Sequence, residues 1–292
     1  MRHLARLSVL LLTAASAPAL AQSAPSAVPP DGGAAATNAE TGGDSITIGA
    51  GAVYLPDYEG SNDYRVSPAP GAIGSFKGFN FQLAGNRLSI DLIPNRPGPG
   101  VDFQFGPVGV VNFNRTSIKN IDDRRIRALG ERNTGIELGG YVGVGKTGVI
   151  TSDYDRISVS LSYRHDVNNA HDSGIWQPSF NYLTPLSRKA AVGVFASAEH
   201  VQRKYADAYY TITPAQSLAS GLPVYQGRGG WKNYTLGALA TVSLTGDLLH
   251  GFKLVAGGTY SRLLNGFSYS PVTRIAGSPS QWLGAVGLAY TF

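Results

Sequence analysis

The stretch Arg156-Ile157-Ser158-Val159-Ser160-Leu161-Ser162-Tyr163-Arg164 alternates at every second residue. In an extended chain successive side chains point to opposite faces. Ile157, Val159, Leu161 and Tyr163 therefore form one wall, and Ser158, Ser160, Ser162 and Arg164 the other. Working outward, the same period recurs. Leu236, Ala238, Ala240, Val242 and Leu244 oppose Thr235, Gly237, Thr241, Ser243 and Thr245, with Leu239 as the exception. Phe252, Leu254, Ala256 and Tyr260 oppose Lys253, Thr259 and Ser261. Val101, Phe103, Phe105, Val111 and Phe113 oppose Asp102, Gln104 and Asn112, and Ile46, Ile48, Ala50, Ala52 and Tyr54 open the series.

A soluble β-sandwich alternates in the same way, so alternation alone does not place the chain in lipid. The two ends of the chain separate the readings. Met1–Ala21 carries Arg2 and Arg6, the apolar run Leu7–Leu12 and the small-residue ending Ala19-Leu20-Ala21, the pattern of a cleavable export signal. A retained anchor helix needs roughly 20 apolar residues, and Pro18 interrupts this run first. At the other end Gly284, Val286, Leu288, Tyr290 and Phe292 share a face. That aromatic ending resembles the signal read by the outer-membrane barrel-assembly machinery, with Tyr290 and Phe292 as its expected determinants.

Composition agrees. Gly 37 and Tyr 15 accompany only 15% charged residues, and no later segment is an apolar 20-mer, so any membrane crossing is made by strands. The absence of Cys excludes disulfide and thiol chemistry. A formal charge of +5, about +3 once the leader is removed, is too small a bias to argue for nucleic acid.

The expected organisation is a signal peptide over 1–21, a flexible Ala/Pro/Gly-rich segment over 22–44 and a β-domain over 45–292. The expected fold is all-β, a transmembrane antiparallel up-and-down β-barrel of about 12 strands, with 10 or 14 as alternatives. Strands are expected near 46–54, 65–75, 79–84, 87–93, 101–113, 133–146, 155–165, 174–186, 189–201, 231–245, 251–263 and 281–292. Long external connections then fall near 114–132, 166–173, 202–230 and 264–280. Gly85-Asn86 reads as a two-residue turn pairing Leu83 with Leu88.

Several motifs imitate chemistry. Gly140, Gly145, Lys146 and Thr147 match the phosphate-loop pattern, but that loop needs a strand before it and a helix after it. Here the glycines fall inside an alternating strand. His165, Asp166, His171 and Asp172 form a possible metal or acid/base group only if a loop folds back, and a solvated external loop is the expected alternative. Arg115, Lys119, Arg124, Arg125, Arg127 and Arg132, mixed with Asp122, Asp123 and Glu131, read as a solvated loop. If external, it offers guanidinium forks to lipopolysaccharide phosphates. Catalytic, cofactor and metal residues are assigned to none of these.

Gly51-Ala52-Val53-Tyr54-Leu55-Pro56-Asp57-Tyr58-Glu59-Gly60-Ser61 is followed by Asp166, His171 and Gly174. Then come Tyr210, Thr213-Pro214-Ala215-Gln216-Ser217, Ser220-Gly221-Leu222-Pro223, Gly230-Trp231-Lys232, Arg262-Leu263-Leu264, Ser270-Pro271 and Gly287–Phe292. In this order and spacing the chain resembles the MipA/OmpV family of outer-membrane proteins over nearly all of 48–292. The resemblance implies an outer-membrane barrel whose founding member is described as a scaffold between a lytic murein transglycosylase and a murein synthase. It brings no catalytic residues.

Three readings of function follow. The first is a scaffold or interaction barrel, with outer-membrane lipid, lipopolysaccharide, the barrel-assembly machinery and a murein hydrolase/synthase complex as expected partners. The second is a small pore, unless Lys253, Arg164, Asp91 and Glu137 pair to plug the lumen. The third is a lipid-modifying enzyme, which needs a Ser, His and acidic residue aligned at the rim.

Overall fold

Period two becomes a closed sheet. The computed structural model describes residues 44–94 and 98–292; the expected signal peptide and all of the 22–44 segment but Asp44 lie outside the described residues. The strands are β1 (Ser45–Pro56), β2 (Tyr64–Phe76), β3 (Phe79–Ala84), β4 (Arg87–Asp91), β5 (Gly100–Asn112), β6 (Gly135–Thr147), β7 (Arg156–Asp166), β8 (Gly174–Ser187), β9 (Ala190–Val201), β10 (Gly230–Ser243), β11 (Gly251–Leu263) and β12 (Ser280–Thr291). Each pairs antiparallel with its sequence neighbours, and β1 closes on β12 from Thr47↔Thr291 to Tyr54↔Gly284. Closure satisfies the ladder groups that hydrocarbon cannot hydrogen-bond. Gly85-Asn86 is the expected turn, with Leu83 opposite Leu88.

The alternation sorts residues as expected. On β7, Ser158, Ser160, Ser162 and Arg164 are buried inside while Val159 and Leu161 face out. The exterior is an apolar band including Val142, Leu236, Val286 and Leu288. Aromatic pairs flank it. Tyr54–Tyr64, Tyr163–Trp176 and Tyr260–Trp282 lie at one end with ring centroids 4.7–5.0 Å apart. Phe252, Tyr290 and Phe292 lie at the other. An apolar belt between two aromatic girdles is how a barrel wall meets a bilayer and its two interfaces.

The three longest connections (113–134, 202–229 and 264–279) all lie at the first end; bacterial barrels place long loops outside. Inside, β5, β7 and β8 contribute Gln104, Ser158, Ser160, Ser162 and Gln177, and Arg156 grips Asp102 through both terminal nitrogens. The phosphate-loop match falls entirely within β6, as a strand and not as a strand-to-helix loop.

Candidate functional site

The external loops fold together over the mouth. Tyr58 from the first loop, Ile126 from the loop after β5, Tyr205, Tyr209 and Ile212 from the loop after β9, and Phe267 from the loop after β11 form one buried apolar cluster. Ile175, Val201 and Leu263, interior residues at the tops of β8, β9 and β11, belong to the same cluster, so it sits in the mouth and not beside it.

Local chemistry builds this cap. The helix Pro214–Ser220 starts on Thr213, whose hydroxyl accepts the Gln216 amide at 3.3 Å while Gln216 Oε1 accepts the Thr213 amide at 3.0 Å. It ends on Gly221 at φ 74°, the left-handed stop that glycine adopts without a Cβ clash. Tyr58 donates its hydroxyl to the Ala276 carbonyl at 2.5 Å, joining the first loop to the last, and burial pushes that phenol well above its ordinary pKa.

The basic loop is only in part the solvated segment expected. Arg115 is 1% exposed and donates to the Ala208 carbonyl at 2.9 Å; Arg132 donates to the same oxygen at 2.7 Å. Ala208 lies in the last turn of the helix Arg203–Tyr209, whose orphan carbonyls and negative dipole end favour cations. Burial, reinforced by neighbouring Arg132, pushes Arg115 down to about 10, which leaves it charged at neutral pH. Arg125 instead pairs with Asp123 at 2.6 Å, and Lys119, Arg124 and Arg127 stay exposed.

Beneath the cap runs a chain of buried charges. Lys232 at the top of β10 lies 2.6 Å from both Glu59 of the first loop and Glu199 of β9. Glu199 pairs with Arg164 of β7, and Arg164 with Glu137 of β6. Glu137 in turn accepts from Asn112 at 3.0 Å and from His171 Nε2 at 3.2 Å. Tyr205 in the cap donates to Glu59 at 2.8 Å and lies with its ring 4.7 Å from the Lys232 ammonium. The cap is thereby locked to the wall, because each buried charge has its partner on a different element.

Of the residues that could plug the lumen by pairing across it, Arg164 and Glu137 pair between the neighbouring strands β6 and β7, while Asp91 accepts the Ile93 and Phe105 amides. Glu59 and Lys232 stand in the sequence only among the residues of the family resemblance, with no role attached to either, and Glu199 carries no sequence signal. His165, Asp166, His171 and Asp172 divide. Asp166 accepts the His171 and Asp172 amides, His171 is buried on Glu137, and His165 meets Asp172 at 3.3 Å on the surface. The expected solvated loop therefore fails for His171, whose ring packs edge-on against Tyr205 and tilted against Tyr209. Among the described residues no group of three or more His, Asp or Glu is placed to hold a metal ion.

No curated protein sequence matches the chain. Among solved structures, the outer-membrane channel DcaP of Acinetobacter baumannii aligns over 86% of this chain and 96% of its own, at 8% identity and TM-score 0.37. OprD of Pseudomonas aeruginosa aligns over 77% and 55% at 10% identity and TM-score 0.34. The toluene transporter TodX of Pseudomonas putida aligns over 85% and 89% at 8% identity and TM-score 0.35. Scores this low say nothing of ligand or task. The family described as MltA-interacting protein MipA matches residues 48–292, and with the closed, girdled barrel around that span the chain belongs to this family of outer-membrane β-barrels.

Proposed function

We propose that the protein is a structural and interaction barrel of the cell envelope that keeps its external mouth shut and serves as a scaffold for murein-processing enzymes. The observation that carries this reading is the lock between cap and wall: Glu59 and Tyr205 of the loops converge on Lys232 and Glu199 of the strands. Opening that mouth separates buried charges, a cost that a solute pathway does not need and a rigid binding platform tolerates. The family's namesake is described as MltA-interacting, which is the reason to look for a murein enzyme as partner. Murein lies on the periplasmic side, where the connection 148–155 presents exposed Val149, Ile150 and Tyr154. Outside, the exposed Lys119, Arg124 and Arg127 are suited to lipopolysaccharide phosphates.

Planar-bilayer recording together with a crosslinking pull-down from intact envelopes tests the reading. The intact chain is expected to be electrically silent, to conduct once residues 204–228 are replaced by a short Gly-Ser link, and to bring down murein enzymes. Steady openings of the intact chain favour the small pore instead. A pull-down free of murein enzymes removes the scaffold.

A further inference from the structure

The lumen is divided by chemistry. Where β4 to β8 line it with serine, glutamine and ion pairs, β10, β11, β12, β1 and β2 turn Leu239, Val255, Leu283, Ala285, Gly49 and Ile73 inward. Glycine and alanine dominate this arc, and the side chains they lack leave an apolar cavity of about 320 Å³ inside the barrel. The cavity is not fully enclosed, yet its apolar lining atoms lack contact partners across it, which well-packed interiors avoid.

A second observation lies one interior step toward the periplasm. Lys253 precedes Val255 on the same face of β11 and is 4% exposed. Its ammonium donates to the Leu248 carbonyl and, at 2.6 Å, to Thr291 Oγ1, which lies 2.6 Å from Thr47 Oγ1. No carboxylate among the described residues is within 4 Å of it. Asp247 is engaged by the Leu249 and His250 amides and by Arg188 at 3.6 Å. A buried cation whose hydrogen-bond acceptors are all neutral, with the Asp247 charge acting on it only from beyond 4 Å, is costly.

We propose that the lumen is a binding site for a single-chain amphiphile with an anionic head, its hydrocarbon chain in the Leu239–Val255–Leu283 cavity and its head at Lys253, Thr47 and Thr291. One molecule relieves both costs. An alkane leaves the ammonium without an anion in contact, and a small anion leaves the apolar cavity unfilled. The size selects one chain: an apolar cavity of about 150 Å³ holds benzene, so about twice that volume takes one chain and not two. The site goes beyond the scaffold reading and does not depend on it.

The test is native mass spectrometry of the full chain purified in a non-ionic detergent, titrated with dodecanoate and with dodecanol. One dodecanoate is expected per barrel, with dodecanol binding at least tenfold more weakly. Lys253→Gln is expected to abolish that difference. Gly71→Leu, at a cavity position where an added Cβ meets only the Leu83 carbonyl oxygen at 3.7 Å, is expected to weaken both probes tenfold or more. Ala69→Phe, also on the cavity wall, replaces it if that variant does not show the heat-shifted migration of a folded barrel. Equal binding of the two probes by the unaltered chain, or unchanged binding by a folded cavity-filling variant, overturns the proposal.

Discussion

Glu59 and Lys232 meet at 2.6 Å, with side chains 6% and 3% exposed, and theirs is a charged contact that pins an external loop to the barrel wall. Lys232 also serves Glu199, so a single ammonium compensates two buried carboxylates. Removing one partner of such a group costs more than the pair contributes, because an uncompensated charge stays behind. Lys232→Met should therefore destabilise the barrel by about 3 to 5 kcal/mol, read as a lower urea midpoint. It should also open 202–229 to trypsin. Glu59→Gln in the Lys232→Met background should recover part of the loss, and an additive double variant would refute the coupling.

Arg115 and Arg132 share the Ala208 carbonyl, which makes Arg115 a helix-end cation and not a ligand for lipopolysaccharide. Arg115→Met should speed proteolysis of the cap and leave lipopolysaccharide binding unchanged. Replacing Lys119, Arg124 and Arg127 together by Gln should weaken lipopolysaccharide binding and leave the cap intact. Surface plasmon resonance on lipopolysaccharide-loaded vesicles reads the second effect; the opposite assignment of effects would return Arg115 to the binding surface.

The wall was legible because its determinant is strictly local: the period-two pattern of Arg156–Arg164 becomes β7 with the same two faces. The exception, Leu239, has its reason in the lumen, since it faces inward onto the apolar cavity. The cap was not legible, because in 113–134 and 202–229 no fixed period ties residue to face. A mixture of Arg and Asp reads as solvated until a helix end such as Ala208 recruits the guanidinium. The lock was half legible. Arg164 and Glu137 lie on neighbouring strands, while Glu59 reaches Lys232 only through the barrel's closure and the fold of a loop.

Asp155 organises the periplasmic connection between β6 and β7. It accepts the Val149, Ile150 and Thr151 amides at 2.6–2.8 Å and the Tyr182 hydroxyl at 3.0 Å. Burial works against its charge, but these donors prevail and hold the carboxyl at about 2, below the ordinary 3.8. Because the folded value is the lower one, the stabilisation is complete above about pH 4 and disappears as the pH falls toward 2. Asp155→Ala should cost about 1 to 3 kcal/mol through donors left without acceptors. In amide exchange, Val149–Thr151 should lose protection at neutral pH. Unaltered exchange there would show that the turn is held by something else.

The closing strand carries two separable roles for its aromatic residues. In the folded barrel Tyr290 packs on Phe252 and Phe292 at 4.8 Å, and the Phe292 amide donates to the Ile46 carbonyl at 2.9 Å. Each ring contact is worth about 0.5 to 1.5 kcal/mol beyond its buried area, a small loss for a closed barrel. If Tyr290 and Phe292 are in addition the residues read by the assembly machinery, their effect in cells should far exceed this. Tyr290→Ala with Phe292→Ala should refold from urea into lipid vesicles with nearly unchanged yield. In growing cells the heat-shifted folded band should fall several-fold. Equal losses in the two settings would assign both residues to packing alone, since vesicles contain no assembly machinery and cells do.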